Sequence, residues 1–136
     1  MDFPKDVQDS GRLAAFSQAL RCLIEAQQHK AADRLISRCG RSFSERLLAY
    51  PVVASHPRSS YVVRNRLRRK IEPFSELAPA DMLEPLVTLL NLWCQEGRRS
   101  AVRSVLRELA ATDIQALHAR KGLDAEVSTM LGDFTA

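Results

Sequence analysis

The chain has 136 residues, 46% hydrophobic and 26% charged, with five glycines and six prolines, which fits a folded globular protein and excludes a disordered or fibrous one. No run approaches the ~20 apolar residues of a membrane span, the Met-Asp-Phe-Pro-Lys-Asp start lacks the basic-then-apolar plan of a signal peptide, and Cys22, Cys39 and Cys94 are too few and too odd in number for a disulfide framework. The net charge of +4 conceals a basic first half: Arg12 to Lys70 carries thirteen Lys/Arg against three acids, whereas residues 71–136 carry six against ten. A single cytosolic domain spanning residues 1–136, in a reducing compartment, is the expectation.

Taken in chain order, the apolar residues repeat every three or four positions and predict helices throughout. Ser10 is a candidate cap for a segment from about Gly11 to Gln28, whose stripe is Leu13, Phe16, Leu20, Leu23 and Ile24. A second segment, Lys30 to Arg38, stops at Cys39-Gly40, where glycine can adopt the left-handed conformation that ends helices. Ser42-Phe-Ser-Glu45 reads as a capping box for a short helix through Ala49, and Tyr50-Pro51 breaks it. Residues 51–59, with Pro51 and Pro57, are expected as the longest loop. Ser59 or Ser60 then opens a helix that closes before Glu72-Pro73.

In the second half Pro79 suits the first turn of a helix running to about Glu96, and Gly97 ends it. Arg99 to Ala111 follows. Thr112-Asp-Ile-Gln115 is another capping box, and a last helix runs from Asp124 to Leu131. Residues 1–9 and 132–136 are expected to fray. No alternating strand pattern survives. The expected fold is an all-α compact bundle of six to seven helices with two antiparallel helical hairpins.

A shift of 69 residues aligns Leu20, Leu23, Ile24, Ala32 and Ile36 with Leu89, Leu92, Trp93, Ala101 and Val105. The pattern looks like the hairpins of tetratricopeptide-type repeats only generically, because the 34-residue recurrence of that family is missing. Any two amphipathic hairpins align about this well.

The segment from Arg58 to Lys70 holds six basic residues and no acid. On a helical wheel Val63, Leu67 and Ile71 form the core stripe. Tyr61, Arg64, Asn65, Arg68 and Arg69 fall on the opposite arc, and Arg66 and Lys70 flank the stripe with their methylene stems. Guanidinium groups match phosphate oxygens with a forked donor geometry, and a tyrosine offers a stacking face to an unpaired base. Arg58, Tyr61, Arg64, Arg66, Arg68, Arg69 and Lys70 are therefore the candidate nucleic-acid-binding residues. Arg98, Arg99, Arg103 and Arg107, with Arg34, Arg38 and Arg41, would extend the patch if the hairpins pack side by side. The competing view is a solvated face whose arginines pair with Glu72, Glu76 or Glu84.

A DNA-reading helix-turn-helix over 42–71 is disfavoured, since a connection of about ten residues exceeds the usual three to four. DNA or RNA would be held through the backbone, without sequence specificity. Catalysis finds no support. His29, His56 and His118 lack metal-ligand spacing, there is no glycine-rich phosphate loop and no H-E-x-x-H, and no serine sits in a nucleophile elbow. No catalytic residue, metal or cofactor is expected. The function expected is that of a non-catalytic nucleic-acid-binding protein, acting alone or as a small helical subunit of a nucleoprotein complex. The alternative is a helical-hairpin adaptor or chaperone that binds another protein or a second copy of itself. A membrane partner is not expected, because the stripe on the basic helix is too thin to insert.

Overall fold

The computed structural model describes residues 3–57, 61–71 and 81–135. In chain order the helices are α1 (Phe3–Glu25), α2 (His29–Arg38), α3 (Arg41–Ala49), α4 (Pro51–Ala54), α5 (Tyr61–Ile71), α6 (Glu84–Gln95), α7 (Arg99–Leu106), α8 (Ala111–His118) and α9 (Ala125–Thr135). The all-α reading holds. The count among the described residues is nine rather than six to seven, for local reasons. Pro51 occupies the first helical position, where its missing N–H costs nothing, and nucleates the single turn of α4 inside the expected loop. α1 begins at Phe3 and α9 extends to Thr135. Pro79 and Ser59-Ser60 lie outside the described residues.

Neither capping box forms. Gly40 (φ 80, ψ 149) starts α3 at Arg41, ahead of Ser42, and no side chain caps it. The Ser44 hydroxyl instead donates to the Ile36 carbonyl (2.8 Å), which ties α3 to α2. α8 starts at Ala111 behind Ala110, again without a side-chain cap.

Four helices form a closed ring: α1 packs on α2, α2 on α6, α6 on α7 and α7 on α1. Their stripes meet in one core that includes Phe16, Leu20, Leu23, Ile36, Leu86, Leu90, Trp93 and Leu106. Phe16 and Trp93 are fully buried, as core anchors should be. α3 and α4 pack against α1, α5 lies on α2 and α3, and α9 lies on α6, α7 and α8. Arg12 on α1 bridges to the buried Asp113 on α8 through two guanidinium hydrogen bonds of 2.8 and 3.0 Å.

The two halves repeat one another, but in a different register from the expected one. Gln28 N–H donates to Leu23 O and Gln27 N–H to Ile24 O. In the second half Arg98 N–H donates to Trp93 O and Gly97 N–H to Cys94 O. These are the paired bonds of the Schellman motif, and they correspond at a shift of 70. At that shift the buried Leu13, Phe16, Ala19, Leu20, Leu23, Leu35, Ile36, Cys39 and Leu47 fall on the buried Leu83, Leu86, Leu89, Leu90, Trp93, Val105, Leu106, Leu109 and Leu117. The repeating unit is thus three helices, α1–α3 and α6–α8, rather than a two-helix hairpin. The contacts α1–α7 and α2–α6 interchange under the shift, as in an approximate two-fold arrangement. The 69-residue register aligned residue types but displaced every hydrogen bond of the turns by one position.

The two seams of the ring differ. On α1 the small residues Gly11, Ala15 and Ala19 recur every fourth position. A Cβ on Gly11 would stand 2.8 Å from Ala110 N and 3.1 Å from Glu108 O, so α1 and the turn that follows α7 meet backbone to backbone. The corresponding residues at the start of the second half are Asp81, Pro85 and Leu89. Pro85 and Leu89 are bulkier than the alanines at the matching positions, and they line a groove of about 120 Å³ between α2 and α6.

Candidate nucleic-acid interface

α5 forms because Val63, Leu67 and Ile71 share one face, with Leu67 and Ile71 about 1% exposed and Val63 packed on the core. Burying each of the two larger side chains contributes roughly 1.5–3 kcal/mol, enough to anchor a short helix that carries five cations. Arg68, Arg69 and Lys70 occupy its last turn, where positive charge also complements the helix dipole. All three are exposed, and no side-chain partner is found for them among the described residues.

The remainder of the expected arc divides differently. Arg64 and Asn65 are half-buried rather than fully exposed, because α5 lies in the angle between α2 and α3. The Arg64 Nε is buried and has no hydrogen-bond partner. Arg66 donates to Asp33 Oδ2 on α2 at 2.8 Å, so one predicted phosphate ligand is already neutralised within the fold. Tyr61 begins the helix. Its side chain, like all of Arg58, lies outside the described residues, as do Glu72 and Glu76. Glu84 pairs with Arg38 on α2 (3.1 Å) and not with α5.

Arg99 and Arg103 stand apart from this surface. They belong to α7, which packs on α1, α6 and α9, whereas α5 packs on α2 and α3. Arg99 is further engaged by Glu126. Arg103 is exposed.

In their place the packing supplies neighbours from α2 and α3. These two helices and α5 contact one another in all three pairings, and together they carry ten Lys/Arg against Asp33 and Glu45. Lys30, Arg34 and Arg38 repeat every fourth residue along α2, and Arg34 and Arg38 stand beside α6. At the start of α3 a cleft of about 270 Å³ is lined by Arg12, Arg41 and Arg46 together with Asp9. Arg12 is held there by Asp113 and Arg41 by Glu45 (3.5 Å), whereas Arg46 has no side-chain partner among the described residues.

Other chemistry is sparse. Cys94, Asp124 and Glu126 bring a thiol and two carboxylates within 4.8 Å of one another, a grouping with no signal in the sequence because its members lie on α6 and at the start of α9. Each already has a structural task. Asp124 Oδ1 accepts the Glu126 N–H (2.9 Å), Glu126 holds Arg99, and burial pushes the Cys94 thiol up from its ordinary value. His56 is half-buried, its Nε2 lying 2.7 Å from Glu25 Oε1. His29 and His118 are on the surface. None of the three cysteines is paired.

No protein-family model matches the chain, and neither a curated protein nor a solved structure of sufficient similarity was found. No helix among the described residues is long and apolar enough to cross a membrane.

Proposed function

We propose that this protein binds nucleic acid through the phosphate backbone, without catalysis, over the basic layer formed by α2, α3 and α5. The observation that carries this reading is the mutual packing of α2, α3 and α5, which together hold ten Lys/Arg against two acids, with Arg68, Arg69 and Lys70 exposed on α5 and unopposed by acids among the described residues. Clustered charge of this kind makes a local potential that concentrates polyanions. The surface is arginine-rich, which favours forked contacts to phosphate oxygens. Arg64 contributes at the edge of the layer, and Arg66 acts by holding α5 to α2. The unpaired cysteines suit a reducing, cytosolic setting.

The test is fluorescence anisotropy with labelled single-stranded and duplex oligonucleotides over a range of salt. Each phosphate contact contributes about 0.7–0.9 to the slope of log affinity against log salt. The triple reversal Arg68→Glu, Arg69→Glu, Lys70→Glu should abolish binding and leave the helical spectrum intact, since the Val63-Leu67-Ile71 face is untouched. Affinity should vary little with sequence, because phosphate contacts position a protein without reading bases. Wild-type protein that fails to bind at low salt, or a triple variant that binds like wild type, contradicts the reading.

A further inference from the structure

We infer that the groove between α2 and α6 receives an amphipathic helix of a protein partner, with its acidic flank against α2. This inference stands independently of phosphate binding on α5. The floor of the groove is apolar, made by Ala31 and Leu35 of α2 and by Pro85 and Leu89 of α6, with Leu92 at its mouth. Leu92 is 36% exposed, one of few large apolar side chains left open among the described residues.

The groove follows from the sequence and is not a packing defect. Its counterpart seam is closed by the Gly11-Ala15-Ala19 ridge, whereas Pro85 and Leu89 stand at the positions of the two alanines. Two helices with such side chains between them present parallel ridges between which the ridge of a third helix can seat. An extended strand would find no sheet edge here. A nucleic-acid base would find no aromatic platform and few hydrogen-bond partners in a floor of leucine, alanine and proline.

Charge selects the occupant. Lys30, Arg34 and Arg38 repeat every fourth residue along the α2 rim, and Arg34 and Arg38 line the groove. Lys30 and Arg34 have no side-chain partner among the described residues. Arg38 is held by Glu84, in a pair with both side chains 52% exposed. An exposed pair of this kind is weak and salt-screened, so a partner carboxylate can replace Glu84 at little cost. The complementary ligand is a helix with apolar residues at i, i+3 and i+7, and with Asp or Glu every fourth residue beside that stripe.

A displayed library of short helices, randomised on the apolar face and the flanking positions, tests this against the intact protein. Enriched sequences should carry the apolar stripe with acids on one flank. As labelled synthetic peptides they should lose about tenfold in affinity on Leu92→Glu and again on Arg34→Glu. Leu92→Glu should leave oligonucleotide binding unchanged, so the groove and the basic layer can fail separately. No enrichment, enrichment without acids, or equal binding to wild type and Leu92→Glu each overturn the proposal. A homodimer dissociated by Leu92→Glu would assign the groove to a second copy and overturn it also.

Discussion

Gln27 holds a left-handed backbone (φ 58), and Gly97 holds the same conformation (φ 77) at the corresponding place in the second turn. An L-residue with a Cβ pays roughly 1–2 kcal/mol for that conformation, and the greater freedom of glycine in the unfolded chain offsets part of it. Gln27→Gly should therefore raise the free energy of unfolding by about 0.5–1 kcal/mol in a urea titration; a loss would mean that the exposed Gln27 side chain does something the turn geometry does not require. Cys39 offers a second test. Burial pushes its thiol up to about 12 from an ordinary value of 9.0. Between those values the unfolded chain releases a proton that the folded one keeps, so stability is fully present below pH 9 and falls as pH rises toward 12. Wild type should lose up to roughly 1.4 kcal/mol per pH unit in that window relative to Cys39→Ala. In the native state Cys39 should also resist a thiol reagent at pH 8 and react once the protein is unfolded, because only the thiolate attacks.

Among the helices, the seam between α1 and α7 is the most demanding contact. Gly11→Ala gains about 1 kcal/mol of helix propensity, but its methyl group meets Ala110 N at 2.8 Å, and backbone cannot move aside as a flexible side chain can. Overpacking of this kind costs roughly 1–3 kcal/mol. A net loss of about 1 kcal/mol in denaturant midpoint is expected, and an unchanged or raised midpoint would show that the seam has slack. The inward face of α5 was legible beforehand, since its three-residue stripe depends only on helical periodicity. α4 was not, because one turn of helix is shorter than the repeat that reveals a helix. Nor was the start of α1, since the residues ahead of Ser10 carry no apolar repeat of their own.

At the scale of the whole molecule, α1, α2, α6 and α7 share one core and Arg12 bridges to Asp113 across the two halves. Neither half can bury its stripe without the other. Unfolding followed by far-UV circular dichroism and by the fluorescence of the fully buried Trp93 should give coincident transitions with no strand signal. A separation of the two curves would show that the halves unfold independently. The two-fold arrangement also places α5 and α9 on different sides of the ring, which is why the arginines of α7 do not join those of α5.

The sequence by itself determined that every element among the described residues is a helix, that glycines 40 and 97 and Pro51 mark breaks, that α5 turns Val63, Leu67 and Ile71 inward, and that positive charge gathers in the first half. These are local or compositional properties, set by spacing along the chain. Only the tertiary structure decided that α2 and α3, and not α7, flank the basic helix, that Asp33 neutralises Arg66, and that the repeat runs at 70 residues. It also decided that one seam closes while its counterpart opens into a groove. Each of these depends on which surfaces meet, and that is set by the bulk of side chains far apart in sequence. Glycine and alanine on α1 admit a neighbour, while Pro85 and Leu89 on α6 line a groove.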